Sequence, residues 1–371
     1  MCCDHDGDRA DLTKLTNDVT TLINSDSMIS DRQDMIDSKE LPHCQNCYRN
    51  ITEHVDVGGT MYDNYNTEST SHGLKSMGIM LNTTCLYTCI YCTEHFSSSW
   101  YSDAEKNGPY QLHDREAHKL SQLDRVQNKI SIVDVSKSKY YSSFYELLDS
   151  TATKDLSTLR IGGGEPLLYE NLIEFIGKTQ KSKPDLSIEI YTGLGVSENI
   201  FQQFLKDIEQ FKGNLKIVFS QEGYGPQAEF MRYGTDWSKW ENMATRILEA
   251  GHYVEFNSVL NNISLFTMQD FLEWKRTSVF KDCNVRIQPL KGPDYMSLQP
   301  LDQELHKEML YHLLDIVYHR KEPSTFDPVK YIPKYENNEL ENLKLYIDEF
   351  SKRRKLDVNV LPKEFLDFVN G

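Results

Sequence analysis

Three cysteines, Cys85, Cys89 and Cys92, lie within eight residues of the chain in the segment NTTCLYTCIYC. A loop with this C-x3-C-x2-C spacing can wrap around a metal centre, and thiolates are the soft ligands that iron-sulfur clusters and zinc prefer. A cubane cluster held entirely by protein needs four cysteines, whereas this loop offers three. One iron would then be open to an outside ligand, and a molecule that chelates through an amine and a carboxylate could fill that position.

Zinc is the alternative metal for the same loop. His95 follows Cys92 by three residues and could complete a tetrahedral Cys3-His site. The cysteine triplet by itself is compatible with both metal centres.

A glycine run followed by an acidic residue occurs later, at Gly162-Gly163-Gly164-Glu165-Pro166. Glycines allow the backbone to approach a ligand closely, and the Glu165 carboxylate can pair with an ammonium group. The plain interpretation is a tight turn between a strand and a helix. The run lacks the spacing of a P-loop or of a dinucleotide-binding fingerprint.

Together the two segments resemble the motifs of the radical S-adenosylmethionine (SAM) superfamily. Its members combine a C-x3-C-x2-C loop, with an aromatic residue before the last cysteine, and a later GGEP motif. The resemblance implies that the three cysteines bind a catalytic 4Fe-4S cluster. It also implies that SAM contacts Tyr91, Gly163, Gly164 and Glu165.

The resemblance further implies a reaction. The reduced cluster would donate one electron to the SAM sulfonium, which yields methionine and a 5'-deoxyadenosyl radical that abstracts hydrogen from a substrate. We expect a peptide or small-molecule substrate and a reductant such as a flavodoxin or ferredoxin. A zinc-binding interaction protein without catalytic activity and an iron-sulfur electron carrier are the alternatives.

Two later positions are expected at the cofactor, because ligands of parallel sheets bind at the carboxyl ends of strands. Ser220 ends the fourth predicted strand, and Asn257 lies on the fifth. By resemblance, Ser220 would contact the ribose. Glu222 stands where related sequences commonly carry Asp, and Gly193 directly follows Thr192 where T-N-G is usual.

Short apolar runs alternate with amphipathic stretches from Met77 onward, which predicts an α/β fold with a parallel sheet. By resemblance, the fold is a partial (β/α)6 TIM-like barrel. One or two extra helices are expected between residues 93 and 154, and the chain beyond Pro300 is predicted to be helical. The predicted strands are Met77–Asn82, Thr158–Ile161, Ser187–Thr192, Leu215–Ser220, Tyr253–Leu260 and Asn284–Gln288, and the main helices are Leu167–Lys181, Ser197–Phe211, Trp237–Ala250 and Leu265–Lys275.

The polar segment 1–76 carries four further cysteines, Cys2, Cys3, Cys44 and Cys47. It resembles the auxiliary-cluster modules (twitch or SPASM-like) of radical SAM proteins, which implies an auxiliary 4Fe-4S cluster on Cys3, Cys44 and Cys47. Structural zinc and free thiols are alternatives. We expect an accessory segment at 1–76, a core at 77–300 and a helical extension at 301–371. The lone Cys283 is expected to be a buried apolar residue.

The composition, with 39% hydrophobic and 26% charged residues, is ordinary for a globular protein. A formal charge of -16 disfavours a large nucleic-acid interface, because phosphate binding relies on many Lys and Arg side chains. No apolar stretch is long enough to span a membrane, and clustered cysteines favour metal binding in a reducing compartment. A cytoplasmic location is therefore expected.

Overall fold

A sheet of six parallel strands forms the centre of the computed structural model, which describes residues 26–37, 39, 74–122, 139–211, 213–290, 292–298 and 338–370. The strands lie side by side in chain order. They are β1 (Ser76–Met80), β5 (Thr158–Gly162), β6 (Ser187–Thr192), β7 (Leu215–Ser220), β9 (Tyr253–Leu260) and β10 (Asn284–Pro289).

Four short strands form two antiparallel pairs beside the main sheet. They are β2 (Thr88–Cys89) with β8 (Arg232–Tyr233), and β3 (Tyr110–Gln111) with β4 (Glu116–Ala117). The first pair places the cysteine loop next to the chain that follows β7.

Ten α-helices are described. They are α1 (Asp26–Ile36), α2 (Ser98–Asn107), α3 (Lys139–Leu148), α4 (Leu172–Ser182), α5 (Glu198–Glu209), α6 (Gly225–Met231), α7 (Trp237–Glu249), α8 (Ser264–Thr277), α9 (Glu339–Arg354) and α10 (Lys363–Asn370). Several begin at side-chain caps: Ser197 and Asp236 accept hydrogen bonds from the first turns of α5 and α7. Because helices connect successive strands of the sheet, all strands can run in the same direction.

The two faces of the sheet differ in chemistry because side chains alternate along each strand. One face is apolar and buried against helices, with side chains such as Ile161, Ile190 and Phe219. The opposite face, called the polar face here, carries charged and tyrosine side chains on neighbouring strands. These are Arg160, Glu189, Tyr191, Lys216, Tyr253, Glu255 and Arg286.

Aromatic side chains of α7 and α8 cover the apolar face. The Trp237 and Trp240 rings stack with centroids 4.9 Å apart, and the Phe256 and Phe271 rings meet edge to face at 5.4 Å. Each large apolar side chain that is fully buried contributes about 1.5–3 kcal/mol to stability. This layer therefore fixes the sheet, whose strand ends position the cysteine loop and the glycine loop.

The sequence predicted the sheet well. The bounds of β6, β7 and β9 are those expected from the apolar runs. Strand β1 ends at Met80 instead of Asn82, because the Asn82 carbonyl accepts a hydrogen bond from the Gly164 N–H of the glycine loop. The parallel α/β architecture is confirmed.

The helix predictions need one correction. The helix expected from Leu167 begins at Leu172, because residues 166–168 form a short 3-10 turn that Glu165 caps. Helices α2 and α3 occupy the stretch where one or two were expected, and α9 and α10 are helical as predicted. Residues 299–337 lie outside the described residues, as do Cys2, Cys3, Cys44 and Cys47 with the predicted auxiliary site.

Within the described part of the chain, no helix combines the length and apolar character needed to cross a membrane.

Candidate active site

The cysteine loop follows β1 and is held by backbone contacts with its surroundings. The Cys85 N–H donates to Ser98 Oγ at 3.1 Å, and the Ser99 hydroxyl donates to the Cys85 carbonyl at 2.6 Å. The indole N–H of Trp100 donates to the Cys89 carbonyl at 2.9 Å. The first turn of α2 thus fixes the backbone of two of the three cysteines.

Helix α9, far away in sequence, holds the same loop from another side. The Tyr346 hydroxyl donates to the Ile90 carbonyl at 2.8 Å and lies 2.9 Å from His118 Nε2. The His118 ring stacks on Trp100 with a centroid separation of 3.8 Å, and its Nδ1 lies 2.8 Å from Glu94 Oε2. These partners are buried, so the loop between Cys89 and Cys92 has a defined conformation.

The glycine loop packs directly against the residues that precede Cys85. The Gly164 N–H donates to the Asn82 carbonyl at 3.0 Å, and the Glu165 N–H donates to the Thr84 carbonyl at 2.7 Å. A Cβ on Gly164 would lie 2.3 Å from the Thr84 oxygen, and one on Gly163, whose φ is +124°, would lie 2.5 Å from the Asn82 oxygen. Only glycine allows this approach, so the two sequence motifs form one structure.

Glu165 points its carboxylate into a ring of neutral donors. Oε1 accepts from the Leu167 N–H at 3.2 Å and from the Thr192 hydroxyl at 2.6 Å. Oε2 accepts from the N–H groups of Gly193 and Gly195 at 3.0 and 3.2 Å. The residue is 1% exposed, and this burial raises the pKa of the carboxyl although the four hydrogen bonds oppose the shift.

Glu165 differs from most buried carboxylates in having neutral partners alone among the described residues. No Lys, Arg or His nitrogen among the described residues lies within ion-pair distance of its carboxylate. Its charge is therefore stabilised there by dipoles, and a cationic ligand would add a kind of contact that this ring does not provide.

A second buried carboxylate, Glu222, has a different environment. Its Oε1 accepts from the Tyr91 hydroxyl at 2.7 Å, and its Oε2 pairs with Arg232 Nη2 at 2.8 Å. Arg232 Nη1 in turn donates to the Cys89 thiol, with an Nη1–Sγ distance of 3.6 Å. Glu222 is fully buried and Arg232 is 6% exposed. The pair joins the end of β7 to the cysteine loop.

The thiols of the loop differ in exposure, since Cys89 is buried and Cys85 and Cys92 are partly buried. Burial raises the pKa of Cys85 to about 12, and repulsion from Cys89 adds to the shift. Burial also raises the pKa values of Cys89 and Cys92. Because metal ligation requires thiolates, a metal centre would displace these protons. Within the described residues, no three His, Cys, Asp or Glu side chains converge on a point suited to a single metal ion.

The predicted positions on later strands lie at the same edge of the sheet. Ser220 and Asn257 are paired across β7 and β9. The Asn257 amide oxygen is buried, as is that of Asn82, and neither has a hydrogen-bond partner among the described residues. Buried polar atoms without partners are rare in folded proteins, so these two are candidate contacts for a bound ligand.

Two other predicted residues lie apart from this arrangement. His95, the candidate fourth zinc ligand, has an exposed side chain. Cys283, just before β10, is half-buried and packs against the hydrophobic core, so the expected burial is found in part. It contacts the edge of the core because β10 is the last strand of the sheet.

Arg232 and Tyr346 are neighbours of the loop that sequence reasoning missed. Neither position is close to the cysteines in sequence, and only folding brings them together. The one available signal for Arg232 was Glu222, because a carboxylate buried at a strand end calls for a cation nearby. No comparable signal marked Tyr346.

Comparison with known proteins gives matches among solved structures alone, since no protein-family model and no curated protein matches the chain. One similar structure is native anSMEcpe with bound AdoMet, at 17% identity and a TM-score of 0.41, with 66% of this chain and 61% of that chain covered. Streptococcus suis SuiB bound to S-adenosylmethionine matches at 13% identity and a TM-score of 0.41, with coverage of 68% and 49%.

A radical SAM methyltransferase from Sphaerobacter thermophilus matches at 15% identity and a TM-score of 0.34, over 46% of this chain and 51% of that chain. The similar structures thus include a radical SAM enzyme. The sequence motifs resemble those of the same superfamily. Each match spans less than two thirds of the other protein's length.

Proposed function

We propose that this protein is a radical SAM enzyme whose 4Fe-4S cluster is held by Cys85, Cys89 and Cys92. The observation that carries the proposal is the contact between the cysteine loop and the glycine loop. Both lie at the carboxyl ends of neighbouring parallel strands, β1 and β5, where ligands of such sheets bind. A thiol-rich loop and a buried carboxylate are thereby combined in one site.

The donor set fits a cluster with one open iron. Three thiols lie on one short loop whose backbone is fixed by α2 and α9, and thiolates are the usual ligands of iron-sulfur clusters. When bound, such a cluster would supply the electron for reductive cleavage of SAM, which is the source of a radical for hydrogen abstraction. The chain's part is to bind the cluster, orient SAM and exclude water.

Glu165 is proposed to bind the amine of SAM. Its buried carboxylate is surrounded by neutral donors, and burial raises its pKa. An ammonium group beside it would stabilise the ionised form. The close approach of Gly163 and Gly164 to residues 82–84 is proposed to shape the same pocket.

A buried polar atom without a partner among the described residues supports a further cofactor contact. We assign SAM contacts to Asn257, whose amide oxygen is such an atom, and to its neighbour Ser220. Tyr91, next to the last cysteine, is assigned a SAM contact from the resemblance of the cysteine motif. Because ordered polar groups in a dry site fix a ligand's orientation, these contacts would aim the reactive carbon toward the substrate.

The substrate is proposed to lie against the polar face. Three cations, Arg160, Lys216 and Arg286, share two carboxylates there, Glu189 and Glu255, and the side chain of Arg286 is 34% exposed. This surplus of positive charge suits a peptide or small molecule that carries a carboxylate. The electron would come from a small reductant such as a flavodoxin or ferredoxin.

The remaining parts of the proposal concern architecture. The parallel sheet is proposed to be the partial barrel of this family, with residues 77–300 as its core and 301–371 as a helical extension. Cys3, Cys44 and Cys47 are proposed ligands of an auxiliary 4Fe-4S cluster or zinc in an accessory segment, 1–76. The cysteines of both sites would require a reducing compartment, for which the cytoplasm is proposed.

Anaerobic reconstitution tests the function. We expect the full chain to take up iron and sulfide and, after reduction with SAM present, to release 5'-deoxyadenosine. Changing Cys85, Cys89 or Cys92 to Ala should abolish that release, whereas Cys283→Ala, at a half-buried cysteine away from the loop, should retain it. Zinc as the sole bound metal would contradict the proposal, and so would a cluster that leaves SAM intact.

A further inference from the structure

A buried cation lies against one of the three thiols. Arg232 Nη1 donates to Cys89 Sγ over 3.6 Å, and both residues are less than a tenth exposed. Cys89 is the most buried of the three cysteines, since Cys85 and Cys92 are partly exposed. The thiol with the least access to water is thus the one that has a cationic donor.

The backbone fixes this contact. Cys89 and Arg232 are directly opposite each other in the antiparallel pair of β2 and β8, and the neighbouring Ile90 N–H donates to the Met231 carbonyl at 2.7 Å. Cross-strand partners in such a pair have adjacent side chains. The position of the guanidinium relative to the sulfur is therefore determined by the fold.

The Arg232 guanidinium donates hydrogen bonds to both Glu222 and Cys89. A purely structural Arg–Glu pair tends to be bidentate, with both carboxylate oxygens bonded to the fork. Here Glu222 Oε2 accepts a hydrogen bond from Arg232 Nη2 at 2.8 Å, whereas Oε1 accepts one from the Tyr91 hydroxyl at 2.7 Å. This leaves Nη1 for the sulfur, so neutralisation of Glu222 does not account for the whole arrangement.

We propose that Arg232 is a positioning residue that orients Cys89 and raises the midpoint potential of the bound cluster, and that Glu222 limits this effect. The inference rests on the proposed function, because it concerns the cluster that the cysteine loop would bind. It assigns roles to residues that neither contact SAM in the proposal nor ligate iron.

Two physical effects give the direction. Hydrogen bonds to the ligating sulfurs and nearby net charge set the reduction potential of an iron-sulfur cluster. Reduction adds a negative charge, which a cation 3.6 Å from a ligating sulfur stabilises in a buried site. The Glu222 carboxylate opposes that stabilisation, so removing Arg232 and removing the Glu222 charge should shift the potential in opposite directions.

The test is a redox titration of the reconstituted cluster, monitored by electron paramagnetic resonance. Arg232→Met should decrease the ratio of reduced to oxidised cluster at least tenfold at a fixed potential, which equals 59 mV for a one-electron couple. Glu222→Gln should increase the same ratio. Arg276→Gln is the matched control, because it removes an arginine whose side chain is 71% exposed; it should leave the ratio unchanged.

Arg232→Met leaves Glu222 buried without its cation and can fail to fold. The double variant Arg232→Met, Glu222→Gln removes both charges and keeps the inference testable. It should lower the potential, by less than the single arginine variant does. Proton ENDOR before and after exchange into deuterated water should also detect exchangeable protons near the cluster, and the double variant should lose the one from Arg232 while it keeps the one from the Tyr87 N–H, which lies 3.4 Å from Cys85 Sγ.

The outcomes separate the two levels of the proposal. A potential equal to that of the control in both Glu222→Gln and the double variant would overturn the role of Arg232 while leaving the enzyme proposal intact. A shift of the same sign in both would overturn it too. An unaltered chain that takes up no iron would instead overturn the proposed function, and this inference with it.

Discussion

Two buried carboxylates at the same edge of the sheet are stabilised by different means. Glu165, beyond β5, accepts four hydrogen bonds from neutral N–H and O–H groups. Glu222, beyond β7, pairs with Arg232 and accepts one hydrogen bond from Tyr91. Both are essentially inaccessible to water. The region around Glu165 therefore retains negative charge for a ligand, while the region around Glu222 is electrically balanced.

The difference suggests that the two carboxylates have different roles in the site. A carboxylate that is stabilised by neutral donors can still be stabilised further by a cationic ligand. The ligand would not have to break an ion pair within the protein. A carboxylate held by a buried arginine fixes that arginine, and here the arginine is directed at a thiol. One region is suited to binding SAM and the other to supporting the cluster.

The largest expected effect comes from breaking the support of the Glu165 region. In Gly164→Ala, the added Cβ would lie 2.3 Å from the Thr84 carbonyl oxygen, so the glycine loop and the cysteine loop must separate. Overpacking of this kind costs about 1–3 kcal/mol or more, and we expect loss of SAM binding together with reduced iron content. Gly162→Ala is the control, because its Cβ would meet nothing within 4 Å.

Isothermal titration with SAM under anaerobic conditions and iron analysis measure both glycine variants. Equal SAM affinity and equal iron content in the two would mean that contact between the loops does not organise the site.

The next largest expected effect tests the negative charge of Glu165. Glu165→Gln keeps the shape of the side chain and removes its negative charge. Because hydrogen bonds to charged groups contribute about 1.5–3 kcal/mol, we expect SAM affinity to fall roughly 10- to 100-fold. Glu170→Gln, at an exposed carboxylate of the same connection, is the control. Unchanged affinity in Glu165→Gln would show that the amine of SAM binds elsewhere.

A matched pair of hydroxyl removals compares the two regions directly. Thr192→Val removes the donor 2.6 Å from Glu165, and Tyr91→Phe removes the donor 2.7 Å from Glu222. An unsatisfied buried acceptor costs about 1–3 kcal/mol. We expect the threonine variant to lose more stability, because the Thr192 hydroxyl also accepts from the Leu194 N–H, so that two hydrogen bonds are lost instead of one.

Denaturant unfolding of the metal-free chains gives both differences in the free energy of unfolding. A larger loss in Tyr91→Phe than in Thr192→Val would reverse the comparison.

The smallest effect is a pH dependence. Burial raises the folded-state pKa of Glu165 above its unfolded value, so the folded chain binds more protons than the unfolded chain between these two pKa values. Stability should therefore decrease as pH rises through that window, with a slope of up to about 1.4 kcal/mol per pH unit from this group. Glu165→Gln should lack this contribution, which is measured as the difference in unfolding free energy between the two chains. A difference independent of pH would mean that Glu165 titrates normally.

Local patterns predicted the scaffold, whereas long-range contacts decided the site. Strands β6, β7 and β9 follow from their apolar runs because alternation and burial are local properties. The two motifs were visible in sequence, but their direct contact was not, since it depends on the β1–β5 register. The pairing of Cys89 with Arg232, 143 positions away, depends on how β7 and its following helix return to the loop. Sequence alone does not encode such geometry in a local signal.

The central claim is that one iron of the cluster has no ligand from the polypeptide and binds SAM. Electron-nuclear double resonance of the reduced cluster, with SAM labelled by 15N in its amine and 17O in its carboxylate, tests this most directly. We predict coupling of the cluster to both labels. Coupling to a histidine nitrogen of the protein instead, with no coupling to either label, would contradict the account.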